Sequence, residues 1–298
     1  MLILAFSASS FAIEPAANKT QELRLAAEKG DVASQVELGG LYWSGKGVDQ
    51  DFDQARGWYE KAALQGNASA QFALGLMYRL GEGIARDFAQ ARDWFEKAAL
   101  QGDAGAQHGL GLMYFEGQGV PQDYVQARGW FEKAALQGVA DAQLNLGHLY
   151  ALGQGLPQDY VQARGWYEKA ALQGNPKAQF NLGLIYYQGK GVRQDYAQAR
   201  GWFEKSALQG VADAELTLGL IYSLGQGVRQ DLVKARAWYE KSALQGDARA
   251  QLALGLLYEG GLGVRQDKAQ AGEWFGKACE QGHQRGCDEY RKLKEQGL

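Results

Sequence analysis

The sequence predicts an all-α solenoid built from seven helix–turn–helix repeats with a capping helix at each end. Three residue types recur at a constant step of 36 positions, with no insertion between residues 31 and 282. They are glycine (Gly30 to Gly282), tryptophan (Trp58 to Trp274) and tyrosine (Tyr42 to Tyr258). A fixed period of this length is typical of proteins whose repeats stack on one another. The repeats occupy 31–66, 67–102, 103–138, 139–174, 175–210, 211–246 and 247–282.

Composition narrows the class of protein. The 298 residues carry 31 Lys+Arg against 34 Asp+Glu, a formal net charge of −3, which gives no electrostatic footprint for nucleic acid. A hydrophobic content of 46% is enough for a core and excludes general disorder. Beyond the first dozen residues, no apolar run approaches the ~20 residues that span a bilayer.

The N-terminus differs from everything after it. Residues 1–12 resemble a secretory signal, because an apolar run at 2–6 precedes small residues at the cleavage positions Ser10 and Ala12, and Ile13 then begins the mature chain. The positively charged n-region is missing, so the start would lie inside a longer signal; a frayed apolar terminus is the alternative. Residues 13–30 form the N-terminal segment, in which 19–29 resemble a lone second helix without its Trp.

The first helix of each repeat, helix A, begins at a capping residue. In 67–102 this is Asn67, whose side-chain oxygen can accept from free backbone N–H groups. Asn or Asp holds that column in five of seven repeats, with Val139 and Val211 as the exceptions. Pro176 fits the first helical position, where its missing N–H costs nothing.

Helix A buries one stripe. Ala70, Leu74 and Tyr78 are spaced by four and share a face. Gly75 lacks a Cβ, and a glycine inside a helix costs about 1 kcal/mol, so its recurrence predicts a close approach between helices.

The segment 81–84, Gly-Glu-Gly-Ile, ends helix A with a tight turn. It follows a helix rather than a strand and lacks a Lys-Ser/Thr pair, which disfavours a phosphate loop. Asp87 with Gln90 three residues later has the pattern of a capping box at the start of the second helix, helix B.

Helix B is predicted to bury Ala91, Trp94, Phe95 and Ala98. It is predicted to end at Gly102. Seven of the eight Trp residues occupy one helix B column, which predicts core packing rather than a cofactor platform. Trp130→Ala is expected to destabilise by roughly 3–5 kcal/mol. The segment 283–298 fits a helix A position but is strongly charged, as a terminal cap must be.

The repeated motif resembles the Sel-1-like repeat family, a relative of the tetratricopeptide repeat with a longer inter-helix loop. The residues of the second repeat that match the family motif are Ala70, Leu74-Gly75, Tyr78, Gly81, Gly83, Asp87, Ala91, Trp94-Phe95 and Gly102. The resemblance implies a right-handed superhelical scaffold for protein–protein or peptide contacts. Bacterial members of the family are often exported and serve in envelope assembly, virulence or signalling, so the resemblance implies an exported bacterial protein.

A second resemblance concerns the two cysteines. Cys279 and Cys287, with seven residues between them, look like the pair that links helix hairpins in the cysteine-rich Sel-1-like proteins of Helicobacter. The two positions lie on either side of Gly282, on adjacent antiparallel helices. Such a disulfide would stabilise by roughly 2–3 kcal/mol on the chain-entropy model. Two unrelated buried thiols are the alternative.

Chemistry-bearing residues are sparse. His108, His148 and His283 share no repeat column, and two cysteines do not complete a zinc set, so no metal and no cofactor is expected. The chain has no Ser-x-x-Lys and no Gly-x-Ser-x-Gly, which predicts a protein that is not an enzyme. Penicillin binding and weak hydrolysis in the cysteine-rich relatives leave a β-lactam-binding or hydrolysing protein as an alternative.

Variation is concentrated on one face of helix A, at positions 3, 6, 10 and 13 of each repeat. This face resembles the inner groove of tetratricopeptide proteins, and aromatic residues and Arg often anchor interfaces. The predicted partner-binding residues are Trp43, Phe72, Arg79, His108, Phe115, Asp141, His148, Lys177 and Tyr187, with Phe180 on the same face. Inter-helix packing at position 6 is one alternative, and a solvated face without a ligand is another.

These patterns together predict an exported bacterial scaffold, periplasmic or secreted, whose concave helix A surface binds a peptide, a partner protein or a cell-wall component. If the N-terminus is not a signal, a cytosolic regulatory scaffold is the alternative. Truncation of Trp43, Phe115 or Tyr187 is expected to weaken partner binding and to leave melting nearly unchanged.

Overall fold

The computed structural model describes residues 13–297, with side chains from residue 20 onward, and it confirms the all-α prediction. In that range the chain forms sixteen helices and no strand. None of these helices is long and apolar enough to cross a bilayer. The predicted signal at 1–12 lies outside the described residues.

The helices alternate between the two predicted types. Helix A of the successive repeats is α2 (Val32–Ser44), α4 (Ala68–Leu80), α6 (Ala104–Glu116), α8 (Ala140–Leu152), α10 (Pro176–Gln188), α12 (Ala212–Leu224) and α14 (Ala248–Gly260). Helix B is α3 (Phe52–Leu64), α5 (Phe88–Leu100), α7 (Tyr124–Leu136), α9 (Tyr160–Leu172), α11 (Tyr196–Ala207), α13 (Leu232–Leu244) and α15 (Lys268–Glu280). The terminal helices are α1 (Ile13–Glu28) and α16 (Gln284–Glu295).

The helices group into two compact units, a first unit that ends at Ala142 and a second unit that begins at Gln143. Within each unit, helix A packs on helix B of its own repeat, and helix B packs on helix A of the next repeat. One repeat alone would expose an apolar stripe, so stacking completes the core. In the first unit α1 packs on α2, and in the second α16 packs on α15.

Caps define the ends of helix A. The Asn67 side chain accepts from the backbone N–H of Ala70 at 2.9 Å, as predicted. Val211 supplies no side-chain cap, and α12 begins without one. At the other end, Gly81 adopts a left-handed conformation with φ 79°, in which its N–H donates to the carbonyl of Met77.

The capping-box prediction is only half right. Asp87 accepts from the backbone N–H groups of Ala89 and Gln90, at 2.9 and 3.0 Å. The backbone N–H of Asp87 donates to the carbonyl of Tyr78 at 3.0 Å. That bond occupies the donor that a Gln side chain would take in a full capping box. Asp87 therefore links helix B to the end of helix A.

Glycine on helix A makes room for a ring rather than for a helix backbone. A Cβ at Gly75 would lie 2.4 Å from Cδ1 of Phe95, and one at Gly183 would lie 2.6 Å from Cε1 of Phe203. Both rings are completely buried. The predicted close approach is thus a contact between glycine and an aromatic side chain of helix B.

The Trp column is less buried than the sequence suggested. Trp94, Trp130 and their counterparts along the chain are half-buried, and only Trp58 is buried. In every repeat a lysine three residues later stands over the indole ring, with its Nζ 3.8 to 4.2 Å from the centroid. The residue after each Trp is the core aromatic, because it is the side chain that meets the glycine of helix A.

A buried glutamine links each helix A to the preceding helix B. Gln71 donates from Nε2 to the carbonyl of Ala63 at 3.2 Å and accepts from Gln101 at 2.7 Å. The bond to the preceding carbonyl recurs at four other junctions, at 3.0 to 3.3 Å. These five junctions therefore each carry one buried polar link beside their apolar contacts.

Two junctions of the second unit depart from this rule. Glu215 replaces glutamine between α11 and α12 and is only 4% exposed. Between α15 and α16 the two linking positions are Cys279 and Cys287, which form a disulfide with their Cα atoms 4.4 Å apart. The predicted pair is therefore present, and it replaces the side-chain to backbone link.

Candidate partner-binding surface

The predicted binding residues lie on helix A in both units, as the repeat phase required. Asp141 and Lys177 are exposed, whereas the aromatic and histidine side chains are half-buried. The surface is thus a partly covered aromatic layer with charged groups at its edge.

In the first unit, Trp43 and Phe115 have equivalent surroundings. Trp43 packs edge-on against Phe52 at 5.7 Å and against the buried Tyr59 at 6.4 Å. Phe115 packs in the same way against Tyr124, with ring centroids 5.4 Å apart. Each side chain rests on helix B of its own repeat. Their truncation would therefore also remove packing, and the expectation of nearly unchanged melting is not supported by these contacts.

Position 6 also packs on the core. The Phe72 ring lies 5.8 Å from Phe95, and its Cζ would be 2.8 Å from a Cβ placed on Gly105 in the next helix A. His108 lies 5.7 Å from Phe131. The inter-helix packing alternative therefore holds for Phe72.

Arg79, His108 and Asp141 interact electrostatically in the first unit. Burial lowers the pKa of His108, an effect that Arg79 increases and that Asp141 partly offsets. His108 is consequently neutral at pH 7. The Arg79 Nε is buried and has no hydrogen-bond partner. Three successive helix A segments thus bring a cation, a neutral imidazole and an anion to one region.

In the second unit, Tyr187 has the surroundings of Trp43 and Phe115. Its ring lies 5.3 Å from Tyr196 and 6.2 Å from Phe203. Its hydroxyl donates to Oε1 of Gln226 at 2.7 Å. Phe180 lies 5.6 Å from Phe203. This hydrogen bond fixes the polar end of Tyr187 at the surface.

His148 is the second histidine of the surface. Its ring lies 5.5 Å from Tyr167, and its Nε2 is 2.9 Å from Nδ2 of Asn181. Burial lowers the pKa of His148, and Lys177 lowers it further. Because an amide nitrogen only donates, Nε2 is the acceptor and the imidazole is neutral.

The sequence reasoning missed Asn181 and Gln226. Asn181 occupies position 7, a column that also holds Glu37, Ala73 and Thr217, so its variability was a usable signal. Gln226 lies in the inter-helix turn, outside the helical face considered, and its contact with Tyr187 depends on the path of that turn.

The third histidine has a structural role. His283, the remaining histidine, caps α16 by accepting from the N–H of Gly286 at 3.4 Å. Among the residues the structure describes, no three His, Cys, Asp or Glu side chains are grouped as a metal site. The helix A surface offers rings for apolar contact, and amides and charges for hydrogen bonds.

Helix pairs of constant length, with a glycine meeting a buried ring in each pair, define an α-helical repeat protein. The chain belongs to the Sel1 repeat family. The family model matches it seven times, at 32–67, 68–103, 104–139, 140–175, 176–211, 212–247 and 248–283. Sel1 repeat proteins generally bind other proteins and are typically non-catalytic scaffolds.

Solved structures agree with this assignment. A protective antigen of uropathogenic Escherichia coli strains with an SLR fold matches with a TM-score of 0.82 and 39% identity, over 93% of this chain. The match spans 64% of that antigen's length. A Sel1 repeat protein from Oxalobacter formigenes matches with a TM-score of 0.75 and 37% identity, over 96% of this chain and 83% of its own.

The likeness to the cysteine-rich branch is weaker. Cysteine rich protein B of Helicobacter pylori is 24% identical over 43% of this chain and 92% of its own, with a TM-score of 0.36, which supports no argument about function. No curated protein matches the chain at a significant level.

Proposed function

We propose that this protein is an exported bacterial adaptor that binds a peptide or a partner protein through its helix A surface. It acts by holding a partner and performs no catalysis. The envelope or the cell wall supplies the partner.

The observation that carries the proposal is the contrast between two layers of each helix pair. The buried layer hardly changes, with a glycine opposite Tyr or Phe in each repeat. The layer above it changes at every repeat, from Trp43 to Arg79, Phe115 and Tyr187. A partner that contacts this surface would meet a different side chain on each helix, which is what specific recognition requires.

Polar groups beside the rings add selectivity. The exposed Asp141 acts on His108, and the exposed Lys177 acts on His148. His108 therefore has a negatively charged neighbour, and His148 has a positively charged one. Each neutral imidazole can donate or accept a hydrogen bond. Arg79 brings a guanidinium, a frequent anchor at interfaces.

The disulfide supports export. Structural disulfides persist in oxidising compartments and are rare in the cytosol. Cys279 and Cys287 are the only cysteines of the chain, and both are consumed by this bond. A periplasmic or secreted location fits this pairing.

Site-specific photo-crosslinking in the native host tests the binding surface. A photoreactive amino acid replaces Asp141 or Lys177 on helix A, and in matched controls it replaces Glu132 or Glu168 on helix B. All four positions are exposed. The helix A positions are expected to yield one discrete crosslinked species, identified by mass spectrometry, that the helix B positions do not.

Crosslinks of that species from the helix B positions alone would show that the wrong face has been assigned. A circular dichroism spectrum of each variant checks that helicity is unchanged. Nitrocefin incubated with the purified protein is expected to remain intact, and steady turnover would favour the β-lactam alternative.

Intact mass of the protein from its native source tests export separately. A mature chain starting near Ile13, without alkylatable thiols before reduction, is the expected result. A retained N-terminus with two alkylated cysteines would place the adaptor in the cytosol.

A further inference from the structure

A cleft of about 450 Å³ lies between α15 and α16 at the end of the second unit. Its walls are helix B of the last repeat and the capping helix, and none of the predicted partner-binding residues lines it. Its lining includes Gly272, Gly276, Tyr290, Leu293, Lys268 and Lys294.

The cleft exists because the last repeat departs from the others at two positions. In the six preceding repeats the equivalents of Gly272 and Gly276 are always Arg and Glu. In two repeats of the second unit the Arg and the Glu pair along the helix, Arg200 with Glu204 at 3.4 Å and Arg236 with Glu240 at 2.9 Å. Their absence from α15 removes two long side chains from one junction.

Packing does not demand these glycines. A Cβ on Gly272 would lie 3.8 Å from Leu293, and one on Gly276 would lie 3.4 Å from Tyr290, both ordinary contacts. Each glycine also costs helix stability. The disulfide between Cys279 and Cys287 joins the two walls near one end of the cleft. The cleft is therefore open and held in shape before any ligand arrives.

The two ends of the cleft differ in charge. Lys268 and Lys294 line it where the start of α15 meets the end of α16, and Lys268 reaches Gln296 at 3.4 Å. Within the described residues neither lysine has a carboxylate within 4.0 Å. Toward the disulfide, Lys277 stands over the Trp274 ring at 4.2 Å and Glu280 lines the same end, while Glu273 lines the cleft between the two ends. The Lys268 end therefore carries two cations, and the disulfide end carries one cation and one carboxylate.

The half-buried Tyr290 ring gives the middle of the cleft an apolar wall, which suits one aliphatic side chain of a ligand. Leu293 beside it is only 2% exposed and belongs to the core, and the Nζ of Lys294 lies 5.4 Å from the centroid of the Tyr290 ring. From Gly272, beside Leu293, one helical turn of about 6 Å leads back to Lys268. In an extended peptide, residues i and i+2 point to the same side and lie about 6.6 Å apart. An acidic side chain two residues from an apolar one would therefore reach the lysines.

We propose that this cleft binds an extended acidic peptide segment. It seats an apolar side chain against Tyr290 and a carboxylate between Lys268 and Lys294. The acidic residue points to the Lys268 end, because two lysines line that end, whereas at the other end Glu280 offsets the charge of Lys277. This second site can dock an acidic segment of a partner that the helix A surface does not contact.

Fluorescence anisotropy on the full chain, at low ionic strength, tests the proposal. The probe is a fluorescein-labelled peptide with the core Glu-Ser-Leu between Gly-Ser flanks. The variant Gly272→Arg/Gly276→Glu restores the residues of the other six repeats and changes no net charge. It is expected to weaken binding at least about tenfold.

The variant Lys268→Gln/Lys294→Gln tests the charge and is expected to weaken binding to a similar extent. Its matched control, Arg285→Gln/Lys292→Gln, removes two α16 cations that do not line the cleft and should leave the affinity unchanged. Equal affinity of the wild type and the refilled variant would overturn the proposal. If a control probe with Ser in place of Leu binds the wild type as tightly as the Glu-Ser-Leu probe, the site recognises charge alone and the proposal is overturned. The same holds if Gly272→Arg/Gly276→Glu binds anionic lipid vesicles as tightly as the wild type does.

Discussion

Two helix junctions of the second unit lack the buried glutamine link, and different groups replace it. Between α15 and α16 a covalent bond from Cys279 to Cys287 replaces the glutamine link. Between α11 and α12 the carboxylate of Glu215 replaces it, and a carboxylate cannot donate to the carbonyl of Ala207. One junction is therefore stronger than the repeated design and the other is weaker.

Local geometry around Glu215 agrees with a weaker link. Helix α11 ends at Ala207, one residue earlier than the other B helices. The bond from the N–H of Val211 to the carbonyl of Ser206 is 3.4 Å long, against 3.1 Å at the equivalent Asn67 and Asn175. Glu215 keeps one link, since it accepts from Gln245 at 2.7 Å. The comparison teaches that apolar packing holds each pair of helices together, whereas the polar link changes how stable that junction is.

The largest expected effect tests that last statement. Phe203 is fully buried in the cluster that joins α11 to α12. Phe203→Ala should lower the free energy of unfolding by about 3–5 kcal/mol, because it leaves a cavity. Trp202→Ala, at the half-buried neighbour, should cost clearly less. Urea denaturation followed by circular dichroism measures both free energies of unfolding. A larger loss of stability for Trp202→Ala would show that the Trp column, and not the residue after it, forms the core.

Loss of the disulfide should come second. Cys279→Ser/Cys287→Ser is expected to lower the stability of the α16 junction by about 2–3 kcal/mol, because the unfolded chain regains freedom. Hydrogen exchange of the α16 amides reports this local opening, and amides of α10 serve as the internal control. Unchanged protection of α16 would mean that Leu293 alone anchors the cap.

Replacement of the odd carboxylate should stabilise. Glu215→Gln restores the donor to Ala207 and is expected to gain about 1–2 kcal/mol at pH 7. The reciprocal change Gln179→Glu, at the intact α9–α10 junction, should cost a similar amount. A loss of stability in Glu215→Gln would show that the interactions of the carboxylate with Gln245 and Lys241 outweigh the missing donor to Ala207.

The same residue sets a pH dependence. Burial raises the pKa of Glu215, and the hydrogen bond from Gln245 and the charge of Lys241 offset this in part. Because the folded state holds this proton more tightly than the unfolded state, the contribution of Glu215 falls as pH rises from the ordinary carboxyl range through the raised pKa. The gain in Glu215→Gln should therefore vanish below about pH 4. Melting curves from pH 3 to 8 check this.

The smallest expected effect concerns Ser206, beside the weak junction. Its hydroxyl donates to the carbonyl of Pro176 at 2.8 Å. Ser206→Ala, which restores the residue found in the first four repeats, should cost about 0.5–1.5 kcal/mol. Differential scanning calorimetry can resolve that change, and Ser242→Ala, whose hydroxyl bonds to Ala212 at 3.0 Å, gives an independent repeat of the measurement.

Periodicity predicted most of this fold because each rule was visible seven times. The caps at Asn67 and Asp87, the glycine turns and the cysteine pair follow from local chemistry that a sequence displays. The choice between Trp94 and Phe95 as the core ring did not, because both are aromatic and adjacent on helix B. Only the position of Gly75 opposite one of them decides it.

The candidate surface was predicted in outline, since variable columns of one helix face can be read from a repeat. Its depth was not, because the rings at positions 6 and 13 rest on core aromatics that the pattern alone does not place beneath them. The contact between Tyr187 and Gln226 depends on a turn, and the cleft beside Gly272 depends on side chains that are missing rather than present.

The contact between Gly75 and Phe95 has a consequence for how this gene can change length. A ring that would stand 2.4 Å from a Cβ requires glycine opposite it. An insertion or deletion of one residue inside helix A or helix B would place another side chain against the ring. Gain or loss of a whole 36-residue segment by recombination keeps every ring opposite a glycine. The helices of this chain can therefore be multiplied in units of one repeat, whereas smaller changes of length must fall in the turns.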